Sequence, residues 1–80
     1  MRMPRDITGD ELARRLSILE YRPTRQTGSH LRLTTDRLGE HHITIPRHDP
    51  LKIGILNSIL RDIAAHHRTA RESLIDLLFG

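Results

Sequence analysis

Eighty residues suffice for one small hydrophobic core, and without cysteine no disulfide or thiolate metal site supports it. No run approaches the ~18 consecutive apolar residues of a membrane span. Met1-Arg2-Met3-Pro4-Arg5-Asp6 lacks the apolar stretch of a signal peptide, so the chain reads as soluble, cytoplasmic and without a membrane partner. The formal charge of +3 resides in residues 1–37, eight arginines against five acidic residues, while residues 38–80 balance at five each.

The chain opens on a helix. Thr8-Gly9-Asp10-Glu11 has the T-x-x-E spacing of a capping box, and its two carboxylates suit the helix dipole. Leu12, Leu16 and Leu19 follow at i, i+4 and i+7, one apolar stripe of a helix over about 10–20. Tyr21 to Gln26 reads as a strand, which Pro23 makes an edge strand or a bulged one because proline cannot donate to a ladder. Thr27-Gly28 is a turn, and Ser29 to Thr35 a second strand. Its alternation sends Leu31 and Leu33 to a core, and His30 and Arg32 to solvent.

Asp36 to Glu40 is a hairpin loop. A third strand over 41–46 carries Ile43 and Ile45 on one face, with His42 and Thr44 on the other. Asp49-Pro50 offers an N-cap followed by proline at the first helical position, with Gly54 delaying the regular helix. Leu56, Ile59, Leu60 and Ile63 form the strongest amphipathic stripe. Thr69-Ala70-Arg71-Glu72 is a second capping box, opening a short helix with Leu74, Ile75, Leu77 and Leu78. This order predicts an α+β fold, a three-stranded antiparallel sheet with helices on one face and water on the other.

The candidate chemistry lies at Arg25-Gln26-Thr27-Gly28-Ser29-His30. A turn delivers one histidine to a strand start between Arg25 and Arg32, an arrangement suited to phosphate. Over residues 21–37, Arg22, Arg25, Arg32 and Arg37 stand against Asp36 alone, and arginine binds phosphate bidentately. Ordinary solvated surface is the bland alternative. His41-His42 and His66-His67 are adjacent pairs, whose rings diverge on a strand or a helix. With no H-x-x-x-H spacing, no metal or other cofactor is expected. His66-His67 reads as a helix end, where positive charge is favourable. Tyr21 and Phe79 are the only aromatics, which argues against base stacking on single strands.

Four pieces in order resemble the HicA (YcfA-like) toxins. They are Pro4-Arg5-Asp6-Ile7-Thr8-Gly9, Arg25-Gln26-Thr27-Gly28-Ser29-His30, Ile45-Pro46-Arg47-His48, and Lys52-Ile53-Gly54-Ile55-Leu56 followed by Ile59-Leu60. The resemblance covers Pro4 to about Ile63. The chain departs from the family at Glu20, where glycine is frequent, and at Ile55, where threonine is usual. The tail after Ile63 is also longer and more helical than in short members. The resemblance implies a double-stranded-RNA-binding-like α-β-β-β-α fold, so the chain is expected to be one domain over residues 1–80, with a core at about 4–64 and, beyond the family pattern, an extra C-terminal helix at about 69–79. It further implies a metal-independent endoribonuclease that cuts mRNA, with His30 as the catalytic residue. A HicB-type antitoxin is the implied partner, and operator DNA is contacted only through the toxin–antitoxin complex.

Metal-free RNA cleavage needs a base for the 2′-hydroxyl, an acid for the 5′-oxygen, and positive charge at the phosphate. Histidine, with an ordinary pKa of about 6.5, serves either proton role. On this reading Arg25, Arg32, the Gly28-Ser29 backbone and Lys52 bind phosphate. His48 is either a loop residue or a second proton carrier. A non-catalytic RNA-binding module and a protein-interaction domain on the same fold remain the alternatives.

Overall fold

In the structure, a computed structural model that describes residues 3–80, Thr8 caps the first helix as its spacing predicts. Its Oγ1 accepts the Glu11 amide at 3.0 Å. The box is only half made, because the Glu11 carboxylate pairs with Arg15 at 3.4 Å. Helix α1 (Gly9–Arg15) tightens directly into a 3₁₀ turn (Leu16–Leu19). Met1 and Arg2, which begin the segment read as unlike a signal peptide, lie outside the described residues. Among the described residues no helix is long and apolar enough to cross a membrane.

Position 9 admits only glycine. A Cβ there would overlap the Pro46 carbonyl oxygen and lie 3.1 Å from the Arg47 Cα. The start of α1 is thereby stitched to the segment after the third strand. The Gly9 amide donates to the His48 carbonyl at 3.0 Å, and Arg47 grips both Asp10 oxygens at 3.0 and 3.1 Å. That pairing holds the Asp10 carboxyl below its usual pKa.

Strands β1 (Arg22–Gln26), β2 (His30–Thr35) and β3 (His41–Pro46) form an antiparallel sheet in that order. Leu31, Leu33, Ile43 and Ile45 are buried against Leu12, Leu16, Leu56 and Leu60. This is the single-faced core that the alternation predicts. Thr35, fully buried, donates to the Leu19 carbonyl at 2.9 Å and accepts the Arg37 amide at 3.1 Å, so its burial leaves no polar atom unpaired.

Two helix starts differ from expectation. Helix α2 runs Ile53–His66 with Lys52 as N-cap and no side-chain cap bond, rather than starting from Asp49-Pro50. Leu51 is buried and its amide donates to the Ile7 carbonyl at 2.8 Å, so the chain is pinned to the segment before α1 and winds only afterwards. Helix α3 (Arg71–Phe79) has Ala70 as N-cap and no side-chain cap bond, so Thr69-Ala70-Arg71-Glu72 is not a capping box. The Thr69 amide instead donates to the Ala64 carbonyl at 3.0 Å, and that of Arg68 to Ala65 at 3.3 Å. These two bonds close α2 in a Schellman motif, with Arg68 at φ 54°. Leu74, Ile75 and Leu78 of α3 are buried, whereas Leu77 is half exposed.

The same motif ends the first helical segment. The Glu20 amide reaches Ser17 at 2.9 Å, the Tyr21 amide reaches Leu16 at 3.4 Å, and Glu20 sits at φ 65°. A side chain in this left-handed conformation costs about 1–2 kcal/mol, which explains a glycine preference at this position. Glu20→Gly is expected to raise stability by up to about 1 kcal/mol. Urea denaturation of the two chains checks it, and a lower midpoint for the glycine variant would contradict this account.

Candidate functional site

The register of β1 decides which arginines reach the open face. Arg22 lies opposite Thr34 and Pro23 opposite Leu33, then the register shifts so that Arg25 lies opposite Arg32 and Gln26 opposite Leu31. Thr24 is the extra residue of a β-bulge. In a regular strand, residues 22 and 25 point to opposite faces. The bulge resets the alternation, so Arg22, Thr24 and Arg25 all share the face of His30, Arg32 and Thr34. Pro23 thus marks both an edge strand and a bulge.

Thr27, Gly28 and Ser29 join β1 to β2. Thr27 clamps the first residue of β2. Its amide donates to the His30 carbonyl at 2.9 Å, and its Oγ1 accepts the His30 amide at 3.0 Å. The Ser29 carbonyl accepts the Arg47 amide at 2.8 Å. The base of the histidine is therefore fixed from both neighbouring strands. The Ser29 hydroxyl lies 3.0 Å from His30 Nδ1, and among the described residues Nε2 has no hydrogen-bond partner. Serine can donate or accept here, so Ser29 orients the ring whether Nε2 is a base or an acid.

His30 lines a shallow groove of about 390 Å³ with Arg25, Thr27, Arg32, His42 and Thr44. Arg25 and Arg32 face one another across the strands, and like charges in that position destabilise a sheet. Six ion pairs occur among the described residues, and none includes Arg25 or Arg32. Two opposed guanidinium groups without a carboxylate partner among the described residues thus stand beside an exposed imidazole. The groove lining offers no carboxylate for a metal, and no cluster of metal-ligating side chains occurs among the described residues.

The other expected residues lie around the groove rather than in it. Gly28 does not have a positive φ, and a Cβ there would meet nothing within 4 Å. The fold itself does not require glycine at this point. The Gly28 and Ser29 amides are not engaged by any described partner. Lys52 is exposed at the α2 N-cap. His48 is exposed in the connection after β3, where its carbonyl holds Gly9. Neither Lys52 nor His48 lines the groove. The sequence pattern does not single out Thr27 or His42, although alternation does place His42 on the open face.

The remaining histidines assemble elsewhere, one from the first adjacent pair with both of the second. Tyr21 Oη lies 2.6 Å from His41 Nδ1 and 3.1 Å from His67 Nε2. The His41 and His66 rings stack at 4.3 Å, and His41 Nε2 reaches Asp62 at 3.3 Å. His66 Nε2 donates to the Arg37 and Gly39 carbonyls at 3.0 and 3.1 Å. This network fastens the end of α2 to the β2–β3 hairpin.

Burial lowers the His67 pKa, with His66, His41 and Arg37 adding to the effect. The unfolded chain therefore binds more protons than the folded one once the pH falls below about 6.5. The stabilisation present above that pH is lost as the pH falls through the lower, folded-state value. Thermal melts at pH 7.5 and 5.5 are expected to show a lower midpoint at 5.5. His67→Gln is expected to reduce that difference, and an unchanged difference would remove His67 as its source.

A family model described as "HicA toxin of bacterial toxin-antitoxin" matches residues 9–64, more than half of the chain. The chain belongs to the HicA toxin family. Searches of curated proteins and of solved structures gave no match. The HicA match spans α1 to α2 and includes the groove and every site candidate named above, while α3 lies beyond it. The helix, three antiparallel strands and helix of the HicA-matched region are the α-β-β-β-α order that the resemblance implied, with α3 as the extra element. Membership makes the chain the toxin of a toxin–antitoxin system.

Proposed function

We propose that this HicA toxin is a metal-independent endoribonuclease that cleaves mRNA at the groove on the open sheet face, with His30 as its catalytic residue. The observation that carries the reading is the Arg25–Arg32 pair opposed beside His30. A phosphate between them relieves their mutual repulsion and gains charge-assisted hydrogen bonds from both. The unengaged Gly28 and Ser29 amides are available to the same phosphate, and Lys52 to a more distant one.

In this mechanism His30 Nδ1–H donates to Ser29 Oγ, which leaves the Nε2 lone pair to take the 2′-hydroxyl proton. The 2′-oxygen then bonds to phosphorus as the bond from phosphorus to the 5′-oxygen breaks. The leaving oxygen takes a proton from His48 or from water, and the product is a 2′,3′-cyclic phosphate with a free 5′-hydroxyl. The arginines stabilise charge on the pentacoordinate phosphorane. With contacts confined to backbone and 2′-hydroxyl, sequence discrimination is weak. A HicB-type antitoxin inhibits the toxin, and operator DNA binding belongs to the complex.

Incubating the purified chain with a short RNA and weighing the fragments tests the chemistry. Cyclic-phosphate ends that form equally in excess EDTA are expected. Fragments bearing 5′-phosphate and 3′-hydroxyl ends would overturn the mechanism, and binding without cleavage would leave an RNA-binding module.

A further inference from the structure

His42 stands in the groove but does not serve the phosphate at His30. It lies opposite Thr34, four residues along β2 from His30, or about 13 Å at the rise of a strand. Both its ring nitrogens are also engaged. Nε2 meets the Glu40 carboxylate at 2.7 Å, and Nδ1 meets Thr34 Oγ1 at 2.7 Å. Thr34 Oγ1 in turn lies 2.8 Å from Thr24 Oγ1. Thr24 is the bulge residue, and its hydroxyl also reaches the Arg32 carbonyl at 3.4 Å.

These groups are anchored at the carboxylate end. An ionised carboxylate only accepts, so His42 Nε2–H donates to Glu40. The other ring nitrogen, Nδ1, is linked through the Thr34 hydroxyl to that of Thr24. The hydroxyl pair holds the bulge residue against the centre of the sheet. That bulge is what turns Arg25 toward Arg32.

We propose that His42 is a positioning residue for Arg25, acting through Thr34 and Thr24 to hold β1 in the bulged register that completes the phosphate site. The inference rests on the groove being that site, so its test carries one readout that needs no RNA. In the labelled chain, cross-strand NOEs between Arg25 and Arg32 report the register. They are expected to weaken or vanish in His42→Ala and in Thr34→Val, which deletes the hydroxyl but keeps a branched side chain. NOEs that persist in both variants overturn the proposal.

The second readout is affinity for a short 2′-O-methylated RNA, which binds without being cut. His42→Ala is expected to weaken binding about 3- to 10-fold in the natural chain and to have no further effect in an Arg25→Ala background. Equal losses in both backgrounds would make His42 an RNA contact and overturn the positioning role. If the natural chain binds no RNA while the NOEs still respond, the phosphate reading fails and the control of register stands.

Discussion

His30→Ala is expected to lower RNA cleavage by about 10²–10⁴-fold, the usual contribution of a positioned acid or base, while leaving the fold intact. The imidazole is exposed, and among the described residues its one hydrogen bond is to the Ser29 hydroxyl at 3.0 Å. The bonds that fix residue 30 run from its main chain to Thr27, and alanine keeps them. The stability change should stay within about 0.5 kcal/mol, as for most surface substitutions. A cleavage time course beside a thermal melt separates the two effects. Full activity in the alanine variant would move the catalytic role elsewhere, with His48 the first residue to examine.

Arg25→Glu should divide stability from activity in an unusual way. Position 25 faces Arg32 directly, so the natural pair is repulsive and the variant pair attractive. Opposed charges on a sheet are worth roughly 0.2–1 kcal/mol relative to neutral pairs, and the variant should be more stable by about that amount. RNA affinity should fall more than tenfold, because a carboxylate now stands where phosphate binds. The salt dependence should also flatten, by roughly 0.7 in log–log slope for each single-strand phosphate that the protein no longer neutralises. Denaturant titration and RNA binding at several salt concentrations measure both quantities. Undiminished affinity would place the phosphate outside this groove. A solvated arginine cluster without function predicts no coupling between the two effects.

Much of the fold is legible residue by residue. The Thr8 cap, the Leu12–Leu16–Leu19 stripe and the Leu31/Leu33 against His30/Arg32 alternation are local consequences of period and hydrogen bonding. Each depends on neighbours within a few positions. The failures share another cause. Asp49-Pro50 has the chemistry of a helix start, but the Leu51–Ile7 bridge, made with a segment some forty residues earlier, postpones the helix. Thr69 has the chemistry of a cap, but its amide closes the preceding helix instead. Arg68 and Glu20 occupy left-handed positions where glycine would have announced a helix end.

The candidate site divides along the same line. Its ingredients, His30 with flanking arginines and an exposed strand face, follow from alternation in β2 alone. The pairing of Arg25 with Arg32 does not, because strict alternation from Pro23 would send residue 25 toward the core. A one-residue bulge reverses that, and a bulge is a relation between two strands rather than a property of one. The relay through Glu40, His42, Thr34 and Thr24 likewise needs three strands in register before its hydroxyls meet. The gathering of His41, His66 and His67 around Tyr21 needs a hairpin and a helix end to dock.

The amino-acid order by itself determined the element types, the core face and the exposed histidine, because these depend on periodicities of two and 3.6 residues within short windows. Tertiary structure alone decided which arginines oppose each other and which histidines serve stability rather than the groove. Those depend on strand register and on contacts between residues far apart in the chain, where local pattern carries no information.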